Sequence, residues 1–242
     1  MTRPAQRSRA ANRTATVAEM ALRELARRRG VLVILALFPL AFYLARRDQH
    51  LGQSVRFVCL GIGWALATAA LFAGSAARSV EQRLRLSGYE SRHLVVGRLA
   101  SLWAVALAVT VPYFLLVRLD GHDHTLNFGA IAAIMALTVV VAPAFGLAVS
   151  AVLPRDLEGM LVLLVVIGVQ MIMDPANPVA RFLPFWYVRE IATYAVDHTS
   201  GDYLLRGLVH GVGVALLLTA VVVALAHVRL RRRPHVELLP TA

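Results

Sequence analysis

The chain has 242 residues, of which 58% are hydrophobic, and its mean hydropathy is +0.66. Its formal net charge is +11, and all 25 basic residues are arginine, so the sequence contains no lysine. Because a P-loop ATPase needs a lysine that reaches the β- and γ-phosphates, this composition excludes a self-contained ATPase of that type.

The apolar residues are gathered in runs that carry almost no charge. The runs are 31–45, 57–77, 99–117, 128–153, 160–173 and 204–228. A helix needs about 20 apolar residues to cross a bilayer, and four runs reach that length, whereas the first and fifth must recruit flanking residues. Since backbone polar groups in lipid must be satisfied internally, the runs are expected to be helical. The sequence therefore predicts an all-α polytopic membrane protein with six transmembrane helices.

The arginines indicate how the chain is threaded. With both termini cytoplasmic, 18 of the 25 arginines fall in inner segments and seven in outer ones. The positive-inside rule favours this orientation in the inner or plasma membrane. Arginines between spans are typical of topology signals and of contacts with anionic membrane lipid, so we expect no nucleic-acid partner. The predicted domains are a disordered basic tail (1–15), a six-span domain (16–230) and a cytoplasmic tail (231–242).

A short amphipathic helix is predicted before the first span. Thr16 and Glu19 have the spacing of a capping box, which favours a helix start at Thr16. An apolar face at helical spacing follows, formed by Val17, Met20, Ala21 and Leu25. The polar side carries Glu19, Arg23, Glu24, Arg27 and Arg28, with pairs expected between Glu19 and Arg23 and between Glu24 and Arg28. We expect this helix to lie in the cytoplasmic interface; the alternative is a simple extension of span one.

The cytoplasmic loop between spans two and three, residues 78–98, contains more structure than a connection requires. Ser79 and Gln82 predict a helix start, Gly88 a stop, and Ser91 a cap for the next helix. A short charged helix at the membrane surface suits docking to a soluble partner. The alternative is a solvated connector.

Two further segments between spans are distinctive. Residues 153–158 form a tight charged turn that carries Arg155, Asp156 and Glu158. Residues 174–202 are too polar to span the membrane, yet Trp186 and Tyr187 suit its interface, which predicts short outer helices that dip into the outer leaflet.

Residue patterns for chemistry are weak. His122, Asp123 and His124 could touch a metal ion, but a solvated turn is the stronger interpretation, so we expect no metal site. The spans have essentially no charged residue of the kind that marks an ion relay. We therefore expect no catalytic residue and no cofactor.

The order of these elements resembles the membrane subunit of type-2 ABC exporters. Residues 81–88, with 94–98 behind them, are similar to the coupling region of that family. Residues 153–158 are similar to its second cytoplasmic turn, and residues 184–191 to the outer re-entrant helices before the last span. At the outer end of span five, where the family often has a Gly-rich or Phe-Pro stretch, this chain has residues 171–175.

The resemblance implies a permease without enzymatic activity of its own. A second permease subunit would complete a path for a lipophilic or amphipathic substrate, and a separate ATP-binding subunit would dock beneath each copy. The implied contacts with the ATPase on the coupling helix are Glu81, Arg83, Leu84, Arg85, Leu86 and Gly88. Two other readings stay open: a membrane enzyme or assembly factor without an ATPase partner, and a secondary transporter.

Overall fold

In the computed structural model, residues 3–27, 29–45, 51–121, 126–173 and 177–229 are described, and every regular element among them is helical. The elements are α1 (Arg3–Arg27), α2 (Arg29–Leu44), α3 (Leu51–Ala76), α4 (Arg78–Leu86), α5 (Ser91–Asp120), α6 (Phe128–Val152), α7 (Asp156–Ile172), a 3₁₀ helix (Pro178–Phe182), α8 (Trp186–Asp197) and α9 (Gly201–Arg229).

Four segments of the described helices are long and apolar enough to cross a membrane: Gln53–Ala76, Ser91–Asp120, Phe128–Val152 and Gly201–Arg229. They lie in α3, α5, α6 and α9, which agrees with the prediction of an all-α protein of the membrane type. The other two apolar runs form α2 and α7, which have only 16 and 17 residues. The described chain thus contains four helices of spanning length, whereas the sequence predicts six spans.

The centre of the fold is the contact between α3 and α6, which glycine makes possible. A Cβ atom on Gly146 would lie 1.9 Å from the carbonyl oxygen of Ala67, and one on Gly74 would lie 2.2 Å from Oγ of Ser150. Small residues let two apolar helices approach closely, which is how helices associate where lipid removes the hydrophobic driving force. The remaining helices pack around this pair: α2 and α7 against α3, and α5 and α9 against α6.

The contacts also fix the direction of each helix. Along α3 and α6 the paired positions advance together, from Ala67 beside Gly146 to Gly74 beside Ser150, so the two helices run in the same direction. The start of α5 meets the end of α9, because Arg98 and Arg229 share one carboxylate, and α5 therefore runs the opposite way. As a result α4, the turn at 153–155 and the end of α9 lie at one end of the bundle, which we call the charged end.

Helix α1 differs from its prediction in where it begins. The backbone is helical from Arg3, whereas the sequence analysis predicts disorder for residues 1–15, and alanine and arginine, which favour helix, account for much of that segment. Thr16 is not an N-cap: it lies inside the helix, and its hydroxyl donates to the carbonyl of Asn12 at 2.8 Å. The N-terminal residues Met1 and Thr2 and the predicted C-terminal tail lie outside the described residues.

The apolar face of α1 packs on α5 as its spacing predicts for Val17 and Leu25, which are each 6% exposed, whereas Met20 is 47% exposed. Gly97 permits this crossing, because a Cβ there would lie 2.8 Å from the carbonyl oxygen of Thr14. On the opposite side of α1, the predicted pair between Glu19 and Arg23 is present and exposed. Arg28, the predicted partner of Glu24, lies outside the described residues.

Candidate functional site

Helix α4 ends in a compact motif that orients the residues predicted to meet a partner. Ser87 is the C-cap, and Gly88 has a φ of +87°, which suits glycine. The Gly88 N–H donates to the carbonyl of Arg85 at 3.1 Å, and the Tyr89 N–H donates to the carbonyl of Leu84 at 3.0 Å. This is the hydrogen-bond pattern of a Schellman motif, and it confirms the prediction of a stop at Gly88.

The start of α4 and of the following helix differ from prediction by one or two residues. Ala77 is the N-cap of α4, so Ser79 lies within the first turn, and the side chains of Ser79 and Gln82 are outside the described ones. Glu90, and not Ser91, caps α5, through a capping box in which the backbone N–H of Glu90 donates to Nδ1 of His93 at 3.4 Å. Residue Ser91 is the first residue of the helix.

The structure places Glu81 inside the protein and not on its surface. Glu81 is 3% exposed, and its carboxylate accepts hydrogen bonds from Arg98 at the start of α5 and from Arg229 at the end of α9. Both carboxylate oxygens are engaged within the chain, whereas the sequence analysis placed Glu81 among the residues that would meet an ATPase. Glu81 instead ties α4 to the ends of two apolar helices.

Leu84 is also turned inward. It packs against the buried pair of Val17 on α1 and Leu94 on α5, together with Tyr89. A second link from α1 reaches the same place: Arg13 donates to the carbonyl of Gly88 at 2.9 Å and lies 5.6 Å from the centre of the Tyr89 ring. Leu84 therefore helps to hold α4 against α1 and α5 and does not project from the surface of α4.

The surface of α4 is formed by the remaining predicted residues. Leu86 is 91% exposed, Arg83 and Gly88 are exposed, and Arg85 is half-buried, with its guanidinium donating to the carbonyl of Tyr89 at 3.2 Å. We call Arg83, Leu86, Ser87 and Gly88 the α4 face. A leucine exposed to this extent beside an arginine is a candidate anchor for another protein.

Arg78, which the sequence analysis did not single out, joins α4 to the end of α6. Its guanidinium donates to the carbonyls of Pro154 at 3.0 Å and Leu153 at 2.8 Å, and also to the carbonyl of Ser150. Carbonyls at a helix C-terminus have no partner within the helix and carry partial negative charge, so a guanidinium is well matched to them. Only the position of Arg78, directly after an apolar run, could have indicated this role.

The second cytoplasmic turn predicted from the sequence is on the surface beside this clamp. Arg155 donates to Oε1 of Glu158 at 2.9 Å, with the two side chains 80% and 40% exposed. Asp156 and Glu158 lie in the first turn of α7, where negative charge is favourable to the helix dipole. Leu157, between them, is 66% exposed. The turn and α4 are thus linked through Arg78 at Pro154.

At the other end of the bundle, the segment before α9 is packed into the helices. Phe185 is fully buried, and a Cβ on Gly63, at mid-length of α3, would lie 2.9 Å from its ring. Tyr187 is buried, with its hydroxyl 3.0 Å from that of Thr138 on α6. Farther along, the carbonyl of Ala195 accepts from the N–H of Asn127, which caps α6. Helix α8 therefore runs from the middle of the bundle to the end opposite the charged end.

An ion pair joins α8 to α9, between Glu190, whose side chain is 7% exposed, and Arg206, at 3.3 Å. His122, Asp123 and His124, which the sequence analysis weighed as possible metal ligands, lie outside the described residues.

Comparison with known proteins adds no relative: no protein-family model matches the chain, and no curated protein matches it.

Proposed function

We propose that the chain is the membrane-spanning permease subunit of a type-2 ABC exporter in the cell membrane. The observation that supports this most is the placement of α4: a short helix fixed to α5, α6 and α9 by Glu81 and Arg78, with Arg83 and Leu86 directed outward. A simple connector needs neither a buried carboxylate nor a clamp. A helix that passes force from a soluble ATPase to the spans needs both, together with an exposed face.

In this proposal α2 and α7 are spans one and five. At 1.5 Å per residue they are about 24 and 26 Å long, slightly short of a hydrocarbon core of about 30 Å. Local thinning of the bilayer or flanking residues make up such a difference at modest cost. The 3₁₀ helix and α8 are the re-entrant pair, since Phe185 reaches the level of Gly63 in the middle of α3.

The charged end is the cytoplasmic end in this proposal. It carries Arg78, Arg83, Arg85, Arg92, Arg98, Arg155 and Arg229. The positive-inside rule then places α1 and the end of α9, and with them both termini, in the cytoplasm.

The mechanism follows from the contacts of α4. Displacement of the α4 face by an ATPase moves α6 through Arg78 and moves α5 and α9 through Glu81. Two copies of the chain, or this chain and a homologous one, would form the path between them. On α5, α7 and α9, many leucine and valine side chains are exposed on the surface of the chain, which favours a lipophilic or amphipathic substrate.

The first test is whether a neighbouring gene encodes a P-loop ATPase, and the second is co-expression of the chain with that ATPase. The expected result is a complex that is stable in detergent and hydrolyses ATP. The rate of ATP hydrolysis by this complex should change when the chain carries Leu86→Asp. The control is Leu119→Asp, at another exposed leucine, which lies near the end of α5 farthest from α4 and is 73% exposed. ATP hydrolysis by the purified chain alone, or a complex indifferent to Leu86→Asp, would contradict the proposal.

A further inference from the structure

A cavity of about 390 Å³ lies between α1 and the charged end of the bundle. Its size is within the range of about 300–1,000 Å³ that is usual for small-molecule sites. The walls come from α1, from the last turns of α3, from α4 and from the first turns of α5. No side chain of the described residues fills it, and it is open on one side.

The cavity has an apolar part and a charged part. Ala69, Phe72 and Ala73 of α3 line the apolar part, together with Leu94 of α5. The charged part is formed by Arg23 and Arg27 of α1 and by Arg98 of α5, with Glu24 and Glu81. The lining residues of α3 and α5 lie in the last turns of α3 and the first turns of α5, near the ends of two helices of spanning length, which in a membrane is close to the level of the lipid headgroups.

The charge of the arginines is not fully matched by the acids around them. Glu81 pairs with Arg98 and also with Arg229, which lies outside this cavity, so that group of three has a net positive charge. Arg23 pairs with Glu19 on the exposed side of α1. Among the described residues, no ion pair is found for Arg27, which is exposed at the end of α1. An anionic group next to Arg27 would be favourable.

We infer that this cavity binds an anionic phospholipid of the leaflet at the charged end, with an acyl chain along Ala69, Phe72 and Ala73 and the phosphate beside Arg27. The chemistry of the cavity fits both parts of such a molecule. A zwitterionic lipid would bring its own cation with its phosphate and add no net negative charge beside Arg27, and a free phosphate would leave the apolar wall empty. The inference requires only that α3 and α5 cross a membrane, and it is independent of the proposed transport function.

The lipid would connect α1 to the bundle at the place where α4 is seated. Val17 and Leu25 of α1 are buried against the bundle, and both also line the cavity, together with Ala21 between them. An acyl chain in that space would complete the packing of α1. Bound lipid would therefore stabilise the charged end as well as occupy it.

The experiment measures lipid retention by the full-length chain, purified in detergent, by native mass spectrometry. Dioleoyl phosphatidylglycerol and dioleoyl phosphatidylcholine are added at equal concentration, since they differ in charge and not in acyl chains. We expect the anionic lipid to be retained preferentially as a single bound molecule. Retention of both lipids to the same extent would overturn the inference.

Two variants locate the site, each with a matched control. Arg27→Gln should weaken binding of phosphatidylglycerol about fivefold, as expected for one basic residue at a membrane surface, whereas Arg83→Gln on the α4 face should not. Ala21→Phe, in the α1 wall, should block the cavity, whereas Ala26→Phe, on the exposed side of the same helix, should not.

Unchanged binding of phosphatidylglycerol by Arg27→Gln would overturn the assignment. If Ala21→Phe does not fold, the Arg27→Gln measurement decides the question without it. Displacement of the lipid by inorganic phosphate in large excess would also overturn it, since that would make phosphate the ligand.

Discussion

At the scale of single residues, Glu81 has the most consequential environment in the described chain. Its carboxylate is buried and has two arginine partners, Arg98, whose side chain is 12% exposed, and Arg229, whose side chain is 36% exposed. Taking a carboxylate out of water is costly, and such a pair is stable only while both charges are present. Removal of the negative charge leaves Arg98 in a largely buried position without compensation.

The first prediction concerns this charge. Glu81→Gln should lower the free energy of unfolding by about 3 kcal/mol, the cost of breaking a buried ion pair. The control is Glu19→Gln, which removes the exposed pair with Arg23 and should cost less than about 1 kcal/mol. The measurement is the thermal unfolding midpoint of each purified variant in the same detergent. Equal unfolding midpoints for the two variants would show that the ion pairs of Glu81 do not stabilise the fold more than the exposed pair of Glu19 does.

The second prediction concerns the clamp at Arg78. Arg78→Lys keeps the charge but replaces a forked donor by a single ammonium group, which cannot reach the carbonyls of Ser150, Leu153 and Pro154 together. A loss of about 1.5–3 kcal/mol is expected, the usual value of a hydrogen bond to a charged group. Arg83→Lys on the α4 face is the control and should be neutral. Amide hydrogen exchange at residues 150–155 should increase in the Arg78 variant only.

At the scale of elements, α4 has two sides with different tasks. Leu84 faces Val17 and Leu94, whereas Leu86 is exposed. Two leucines that are two residues apart in one helix therefore offer a matched pair of probes. They separate a contribution to folding from a contribution to assembly.

The third prediction uses that pair. Leu84→Asp should lower the thermal midpoint of the chain, because it places a carboxylate in a buried apolar cluster. Leu86→Asp should leave the midpoint unchanged and should reduce co-purification of the ATPase, since an interface leucine contributes about 1.5–3 kcal/mol when buried. Co-purification is normalised to the amount of chain in the membrane. Normal assembly of the Leu86 variant would mean that the α4 face is not the docking surface.

The helices could be predicted from the sequence better than the contacts at the charged end. Apolar runs of spanning length identify α3, α5, α6 and α9, because a helix that crosses lipid needs apolar side chains along its whole length. The Gly88 stop was predicted, since a positive φ restricts the choice of residue. The partners of Glu81 were not, because Arg98 and Arg229 are 17 and 148 residues away and any arginine in an inner segment would have looked the same.

The start of α1 was missed for a different reason. Low hydrophobicity and high charge in residues 3–15 indicate disorder, but the same alanines and arginines have high helix propensity, and α5 provides a surface for the following turns. Composition alone could not decide between these effects. The contact of Arg13 with Gly88 and Tyr89 adds to the interactions that favour the helix.

At the scale of the whole molecule, the proposed orientation rests on where the arginines lie. The fourth prediction is that a cysteine at Ser200 reacts with an impermeant maleimide added outside intact cells, whereas a cysteine at Arg83 reacts only after permeabilisation. Both positions are exposed, and the native Cys59 is buried and is replaced by alanine in both variants. Labelling of position 83 from outside would invert the proposed topology.

The pairing of Glu81 with Arg229 also has a consequence for the order of biosynthesis. The two residues are 148 positions apart, so the ribosome completes α5 to α8 and most of α9 before the second arginine exists. Until then the α4 carboxylate has Arg98 as its only arginine partner, and the seat of α4 is incomplete. A chain whose last helix is not in place would lack the contact with Arg229 and would hold α4 less firmly. The contacts of α4 are thus complete only once α9 has taken its place in the bundle.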